Sequence, residues 1–363
     1  MIFEIRLFDG VFFLFKSYIF IGVYLMKKII ILIFLTFYIT FSKHIVVCAV
    51  IDTSYILMDA ESGRIYYEKN KDQRFLTASI AKIMTSIVAI EHGSLFSEYT
   101  VDYNSTLTEG SSLYLKENDE ITLYDLICGL MLRSGNDAAT MISKIVFNNE
   151  KRFVEEMNVT AKRIGMGNST FENPTGLNRD TFNYSTAFDM ALLMKYAINN
   201  EIFYEISSKK KHKAETIYFN YYWNNKHKLV TETDYVKAGK TGYTKSSGRT
   251  LVSYAEINGM KLIAVSFNEN SHYELHKSLF EKAPLEFSKE KILDKGVYPQ
   301  DINTLNYYPL VNDDIILYIK KDSDIYIKFN LYQNPNELCG YLEVYEDNKL
   351  IYVDDLYPYY PQS

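Results

Sequence analysis

The chain has 363 residues and a formal net charge of −6 at pH 7, with 39 basic against 45 acidic side chains. This mild acidity argues against a nucleic-acid-binding protein, which usually carries a basic domain or stripe. Hydrophobic residues make up 47% and charged residues 23% of the chain, which excludes a largely disordered protein. The length allows about two domains.

The first 49 residues do not resemble part of a folded domain. Met26 is followed by two lysines, by an apolar run from Ile29 to Phe41, and by the small residue Ala49. A positively charged N-terminal region, an apolar middle and a small residue at the cleavage site are typical of a signal peptide. We therefore expect translation to start at Met26, cleavage to follow Ala49, and the protein to be exported. An uncleaved N-terminal membrane anchor is the alternative.

Three cysteines, Cys48, Cys128 and Cys339, occur in the sequence. Cys48 falls in the segment that we expect to be removed, and the other two are far apart. A disulfide framework is therefore not expected. Cys128 lies in an apolar stretch and is predicted to be a small core residue rather than a nucleophile.

Hydrophobic periodicity predicts the secondary structure of the central region. Residues 55–58 and 64–67 read as a hairpin, and a helix is predicted from residue 78 to Gly93. Further helices are predicted over 122–146, 150–165 and 187–199. Strands over 236–243, 249–257 and 260–267 form an antiparallel meander, followed by a helix over 273–287.

Strands before and after a block of helices indicate an α+β domain whose terminal strands share one sheet. From about residue 291 the chain changes to short alternating runs split by polar turns. We predict three segments: 1–49 as upstream extension and signal peptide, 50–290 as the α+β domain, and 291–363 as a small β-rich domain.

Ser79 and Lys82 are the first residues with potential for chemistry. Positions i and i+3 of a helix lie on one face, so the hydroxyl and the amine can meet. A serine needs an adjacent base to act as a nucleophile, and lysine can be that base if burial or positive neighbours lower its pKa. Taken alone, the spacing is better explained by a helix start with a solvated lysine, because three other Ser–Lys pairs in the chain share it.

Two further polar motifs follow. Ser134 and Asn136 flank a glycine after an apolar run, either as an ordinary turn or with both side chains in a cleft. The sequence Lys240-Thr241-Gly242 lies on the first strand of the meander, where Gly242 lets another backbone come close and a ligand peptide can add beside the strand. The alternative is a plain strand with a surface lysine.

The three motifs together are far more specific than any one of them. Ser-x-x-Lys, Ser-x-Asn and Lys-Thr-Gly occur in this order on helix, loop and strand, which is the signature of penicillin-recognising serine enzymes. The chain resembles the serine D-alanyl-D-alanine carboxypeptidases, the low-molecular-mass penicillin-binding proteins of peptidase family S11. The resemblance extends from about residue 51 to 287, and more faintly to 356. The segments that carry it are 78–85, 133–139, 173–177, 184–187 and 240–244.

This resemblance implies a fold and a mechanism. The expected fold is an α+β, β-lactamase/transpeptidase-like domain, an antiparallel sheet with a helical subdomain, followed by a small all-β domain. Ser79 would attack the carbonyl of the penultimate D-alanine of a peptidoglycan stem peptide, and Lys82 would accept its proton. Ser134 would relay a proton to the leaving D-alanine.

The resemblance also implies the substrate contacts. Asn136 would hold the substrate amide, and the backbone N–H groups of Ser79 and Tyr243 would form the oxyanion hole. Lys240 and Thr241 would favour the terminal carboxylate. β-Lactam antibiotics would acylate the same serine, and no metal or other cofactor is expected. The protein would work on the cell-wall side of the cytoplasmic membrane, with peripheral or N-terminal membrane association as an open possibility.

Two departures from the family pattern leave open which basic residue binds the substrate carboxylate. Thr175 stands where the family often has histidine, and an arginine common in the loop after the third meander strand is missing. His272 near that place and Arg249 on the neighbouring strand are the basic candidates. His272 and His276 also have the spacing of helical metal ligands, but no acidic partner completes a known zinc pattern.

Two other functions remain as alternatives. A β-lactamase of the same fold generally has a Glu that activates water, and the sequence offers no convincing Glu-x-x-x-Asn loop. A non-catalytic wall-binding scaffold would not need the intact serine and lysine motifs.

Overall fold

The computed structural model describes residues 26–32, 52–298 and 307–360. The chain divides between Asp52 and Thr53, and in the N-terminal part the described residues 26–32 are helical. The rest of the predicted apolar run, Cys48 and the cleavage site after Ala49 lie outside the described residues. Among those that are described, no helix has the length and apolarity to cross a membrane.

Nine α-helices follow in the described part of the chain after residue 52. Their bounds are α1 Lys82–His92, α2 Tyr103–Thr106, α3 Leu123–Arg133, α4 Asn136–Phe147, α5 Glu150–Arg163, α6 Ala187–Ile198, α7 Glu201–Ser208, α8 Lys228–Glu232 and α9 His272–Glu286.

The strands of the same region form a five-stranded sheet, several two-stranded sheets and a C-terminal β-region. Their bounds are β1 Ser54–Asp59, β2 Ile65–Lys69, β3 Phe75–Leu76, β4 Glu98–Thr100, β5 Glu120–Thr122, β6 Tyr184–Ser185, β7 Lys211–Glu215, β8 Asn220–Asn224, β9 Val236–Thr244, β10 Gly248–Ile257, β11 Met260–Phe267, β12 Phe287–Leu293, β13 Gly296–Val297, β14 Tyr308–Val311, β15 Ile315–Lys320, β16 Ile325–Leu331, β17 Gly340–Glu346 and β18 Lys349–Tyr359.

A five-stranded antiparallel sheet with the order β2-β1-β11-β10-β9 separates two cores. Alternation along β11 sends Ile263 and Val265 into the larger core, which they share with the helices α1 and α3 to α7. Leu262 and Ala264 face the smaller core, where helix α9 contributes Phe280. The sheet is therefore covered on both faces, and the N- and C-terminal strands of the domain meet in its middle, as the α+β prediction requires.

The helical range predicted over 122–146 consists of two helices, which are separated at the Ser134-Gly135-Asn136 motif. Ser134 has φ of 68°, the left-handed conformation that ends helix α3, and Gly135 leads into helix α4. A Cβ at Gly135 would collide with the side chain of Leu113. Hydrophobic periodicity alone does not show the break, because both helices bury their apolar faces in the same core.

The β-rich tail has a core of its own. The sheet order β13-β14-β18-β17-β16 and the pair β12-β15 enclose Cys339, Leu342, Val344 and Leu356. The predicted domain boundary between 290 and 291 lies within strand β12 and stays a prediction.

The hairpin β7-β8 was not predicted from the sequence, although its strands alternate between buried and exposed residues.

A buried ion pair connects the tail to the α+β domain. The Arg64 guanidinium, which is almost fully buried, contacts the Tyr318 carbonyl and lies 2.5 Å from Glu346 Oε2. Removing one partner of a buried pair commonly costs about 3–5 kcal/mol. Arg64 therefore holds the β1-β2 hairpin against the C-terminal strands.

Candidate active site

Ser79 lies in a 3₁₀ turn, Ala78–Ala81, that leads directly into helix α1. Side chains three residues apart eclipse each other in such a turn, so Ser79 and Lys82 are aligned more directly than on an α-helix. Ser79 is partly exposed, whereas Lys82 is completely buried. The turn therefore presents a hydroxyl to solvent with an amine behind it.

The backbone before the serine has an unusual conformation. Ala78 has φ of 48°, in the left-handed region that residues with a Cβ rarely adopt. Gly176 packs against it so closely that a Cβ there would overlap the Ala78 carbonyl. On the other side, Thr250 Oγ1 donates a hydrogen bond of 3.1 Å to Thr77 O. These contacts fix the direction of Ser79.

Three groups surround the Lys82 amine. Its Nζ lies 3.0 Å from Ser79 Oγ, donates to Asn136 Oδ1 at 2.7 Å, and donates to the carbonyl oxygen of Thr175. Both oxygens can only accept, and a neutral amine has two N–H groups and one lone pair. When the two N–H groups point at these acceptors, the lone pair faces the Ser79 hydroxyl. The arrangement suits proton transfer from Ser79 to Lys82.

The electrostatics of the site favour a neutral Lys82. Burial lowers its pKa well below the usual value, the charges of Lys240 and Lys226 lower it further, and Asp137 opposes them. Burial and the charge of Lys226 lower the pKa of Lys240 to about 7. Burial first, and the positive charges of Lys240 and Lys226 second, thus favour the neutral Lys82 amine that a base requires.

The turn between helices α3 and α4 brings the second motif into the site. Asn136 is fixed by its Nδ2, which donates to Glu109 O at 2.6 Å, so that its Oδ1 faces Lys82. The Ser134 hydroxyl oxygen is buried and has no hydrogen-bond partner among the described residues. Leaving a buried hydroxyl unpaired is unfavourable. This hydroxyl is therefore available to a bound substrate.

The third motif lies on β9, the edge strand of the sheet. Lys240 is buried and donates a 3.0 Å hydrogen bond to Thr241 O. A Cβ at Gly242 would lie 2.9 Å from Ser79 N, so the missing side chain lets the strand approach the serine turn. An extended peptide can add to the outer edge of such a strand.

Tyr243, the residue after Gly242 on β9, is paired with Arg249 on β10. Tyr243 is 62% exposed, and the Arg249 guanidinium carbon lies 5.7 Å from its ring centre. His272 is buried, and burial lowers its pKa, as does the charge of Arg249. Near neutral pH His272 is therefore uncharged, whereas Arg249 presents an exposed guanidinium.

Comparison with known proteins indicates the same protein family as the three sequence motifs. The sequence profile of peptidase family S11, described as D-alanyl-D-alanine carboxypeptidase, matches residues 43–271. The chain belongs to the S11 family of D-alanyl-D-alanine carboxypeptidases.

The S11 relatives include D-alanyl-D-alanine carboxypeptidase DacA of Haemophilus influenzae, 30% identical over 77% of this chain and 75% of the relative. D-Alanyl-D-alanine carboxypeptidase DacF of Bacillus subtilis is 28% identical over 65% of this chain. That alignment spans 62% of DacF, less than two thirds of its length. The crystal structure of penicillin-binding protein 5 from Haemophilus influenzae superposes with a TM-score of 0.70 at 26% identity, covering 85% of this chain and 96% of the other. The α+β fold followed by a β domain, predicted from the S11 resemblance, is confirmed.

The structure brings the predicted residues of this S11 chain together, although their individual roles stay predictions. Direct contacts join Ser79, Lys82 and Asn136, and Gly242 lies against Ser79. Sequence reasoning missed Lys226, whose charge lowers the pKa of both site lysines. It follows the separate strand β8 and matches none of the three motifs, so only the three-dimensional structure reveals it.

The remaining candidates lie elsewhere. The ring nitrogens of His276 contact the hydroxyls of Ser253 and Ser266 rather than facing His272. In the described residues no cluster of His, Cys, Asp and Glu could hold a metal ion. Cys128 is buried in the large core, and burial raises the pKa of its thiol.

Proposed function

We propose that this chain is a serine-type D-Ala-D-Ala carboxypeptidase that removes the terminal D-alanine from peptidoglycan stem pentapeptides. The single observation that carries the proposal is the Lys82 amine, which is buried, has a lowered pKa and lies 3.0 Å from Ser79 Oγ. A lysine in this state acts as the base that a serine nucleophile requires.

Acylation begins when Ser79 Oγ bonds to the carbonyl carbon of the penultimate D-alanine and passes its proton to Lys82 Nζ. The substrate lies along the edge of β9, with its terminal carboxylate towards Lys240 and Thr241. The N–H groups of Ser79 and Tyr243 receive the developing oxyanion, and each such donor is typically worth about 10²–10³ in rate.

Release of the terminal residue requires a proton on its nitrogen. The Ser134 hydroxyl, buried and unpaired among the described groups, passes this proton from Lys82 to the amine as the C–N bond breaks. Asn136 holds the substrate amide. Water then hydrolyses the acyl-enzyme, which frees Ser79 and a stem peptide one residue shorter.

Substrate and location follow from the same assignment. β-Lactams acylate Ser79 in place of the peptide, because they carry a reactive amide and a nearby carboxylate. Peptidoglycan stem peptides lie outside the cytoplasmic membrane, so we place the protein on the extracellular, cell-wall side after export. We propose that peripheral or N-terminal attachment to the membrane keeps the enzyme near its substrate. We propose no nucleic-acid partner.

Release of D-alanine from a peptide ending in D-Ala-D-Ala tests the function. Wild-type protein should release one D-alanine per peptide, and Ser79→Ala should release none. A protein without this activity that also forms no adduct with a fluorescent penicillin would be a scaffold. Rapid, repeated hydrolysis of a chromogenic cephalosporin, without D-alanine release, would instead identify a β-lactamase.

A further inference from the structure

A chain of hydrogen bonds crosses the back of the five-stranded sheet. His227 Nε2 lies 2.9 Å from Ser253 Oγ, which lies 2.8 Å from His276 Nδ1. His276 Nε2 is in turn 3.0 Å from Ser266 Oγ. All four residues are buried, and they come from the start of helix α8, strand β10, helix α9 and strand β11. We call these four residues the His-Ser chain.

Hydrogen-bond chemistry fixes the tautomer of His227, at one end of the His-Ser chain. The Val230 N–H can only donate, so His227 Nδ1, at 3.4 Å, accepts and carries no proton. His227 Nε2 therefore holds the proton, in agreement with its 3.2 Å contact to the Val252 carbonyl. Ser253 therefore accepts from His227. For the rest of the chain we assign donation from the one Ser253 O–H to His276 Nδ1 and from His276 Nε2 to Ser266, because a single direction then runs through all four residues.

The His-Ser chain packs directly behind the catalytic strand. A Cβ at Gly239 would lie 2.6 Å from His227 Nε2, so the imidazole fills the space that the glycine leaves. Gly239 and Lys240 are neighbours on β9, and their side-chain positions point to opposite faces of the sheet. His227 therefore supports β9 from behind at the residue before Lys240.

The ionisation states of the chain matter for the lysines on the other face. Burial lowers the pKa of His227 to about 3, and Lys240 and His272 also lower it. Burial, His227 and His272 lower the pKa of His276 well below its usual value. Both rings are neutral near pH 7, which adds no positive charge behind Lys240.

We propose that the His-Ser chain positions Lys240, by holding β9 at a fixed distance from the Ser79 turn with two neutral imidazoles of defined tautomer. The catalytic role of this positioning rests on the proposed function. His227, Ser253 and His276 are positioning residues, since none of them touches the reacting atoms.

The tautomers are the first test. In full-length protein labelled with ¹⁵N-histidine, NMR at pH 7 should show His227 and His276 both as neutral Nε2–H tautomers. An Nδ1–H tautomer or a protonated ring at either position would overturn the proposal, because the hydrogen bonds could not run in one direction.

The second test compares Ser253→Ala with Ser54→Ala. Ser54 is an equally buried serine of the same sheet, whose hydroxyl donates to Asn70 O far from β9. Ser253→Ala should lower the second-order rate of acylation by a fluorescent penicillin at least about fivefold. It should also raise the pKa of Lys240, followed by ¹³Cε-lysine NMR, because a looser strand admits water.

Ser54→Ala should leave both the acylation rate and the Lys240 pKa near the wild-type values. Equal changes in the two variants, or no change in Ser253→Ala, would mean that the His-Ser chain is merely structural. If the wild type is not acylated at all but the Lys240 pKa rises only in Ser253→Ala, the positioning proposal stands and the proposed function falls.

Discussion

Gly242 and Ser79 meet through their backbones, because a Cβ at Gly242 would lie 2.9 Å from the Ser79 amide nitrogen. The same Cβ would lie 3.1 Å from Ile80 N and would collide with Thr250 Oγ1. Real Cβ atoms do not come this close to backbone, so the edge strand can reach the serine turn only as long as residue 242 has no side chain.

Gly242→Ala should therefore separate strand β9 from the Ser79 turn. We expect acylation by a fluorescent penicillin to fall about 10²–10³-fold, the loss typical of one oxyanion donor. The matched control is Gly167→Ala, where a Cβ meets nothing within 4 Å. A Gly242→Ala enzyme that keeps wild-type acylation would show that this close approach is not needed.

Lys226→Gln should move the pH profile of acylation to higher pH. Lys82 must be neutral to accept a proton, so the rate rises with pH through its pKa. Lys240 must be charged to attract a carboxylate, so the rate falls as pH rises through about 7. The charge of Lys226 lowers the pKa values of both Lys82 and Lys240. Removing this charge should raise both pKa values and so shift both limbs of the rate profile to higher pH.

The control for this shift is Lys228→Gln, which removes an exposed lysine two residues away that lies beside the Tyr273 ring. Rates measured from pH 5 to 10 at low salt should be displaced only for Lys226→Gln, and high salt should reduce the displacement. Identical profiles for the two variants would mean that Lys226 does not tune the site.

Arg249→Ala should raise KM for a peptide ending in a free carboxylate by about 10-fold or more, with a smaller effect on kcat. A hydrogen bond to a charged group is worth about 1.5–3 kcal/mol. His272→Gln should change KM less than about twofold, because the lowered pKa of His272 leaves it neutral. Steady-state kinetics of both variants decide which residue binds the substrate carboxylate. A larger increase in KM for His272→Gln than for Arg249→Ala would assign this role to His272.

Acidification should destabilise the protein in a way that depends on His227. Its pKa is about 3 in the folded state against an ordinary value of 6.5, so the unfolded chain binds the extra proton. Folding free energy is then lost as pH falls below 6.5, by up to about 1.4 kcal/mol per pH unit for one group. His227→Asn keeps an N-cap acceptor but cannot titrate.

Denaturant melts between pH 7 and 4 measure this effect. The pH dependence of unfolding should be shallower for His227→Asn than for wild type. Parallel curves for wild type and His227→Asn would contradict a neutral, buried His227.

The sequence predicted the parts of this site that depend on local spacing. Ser79 and Lys82 share one turn, Lys240 and Gly242 share one strand, and alternation gave the strands of the meander nearly to their ends. Such features depend on residues a few positions apart, whose geometry is set by the backbone period.

The parts that sequence reasoning missed depend on contacts between distant segments. Thr175 contributes a carbonyl oxygen to Lys82, a role for which its side chain gives no signal. Lys226 acts through its charge from the segment that follows strand β8. Periodicity shows that these segments are buried but not which of them meet.

The central claim is that Ser79 becomes a nucleophile through Lys82. Mass spectrometry of the protein after penicillin treatment, followed by peptide mapping, tests it most directly. We predict one penicilloyl adduct on the peptide that contains Ser79, formed slowly or not at all in Lys82→Met and absent in Ser79→Ala. An adduct on another residue, or no adduct on correctly folded wild-type protein, would contradict the account.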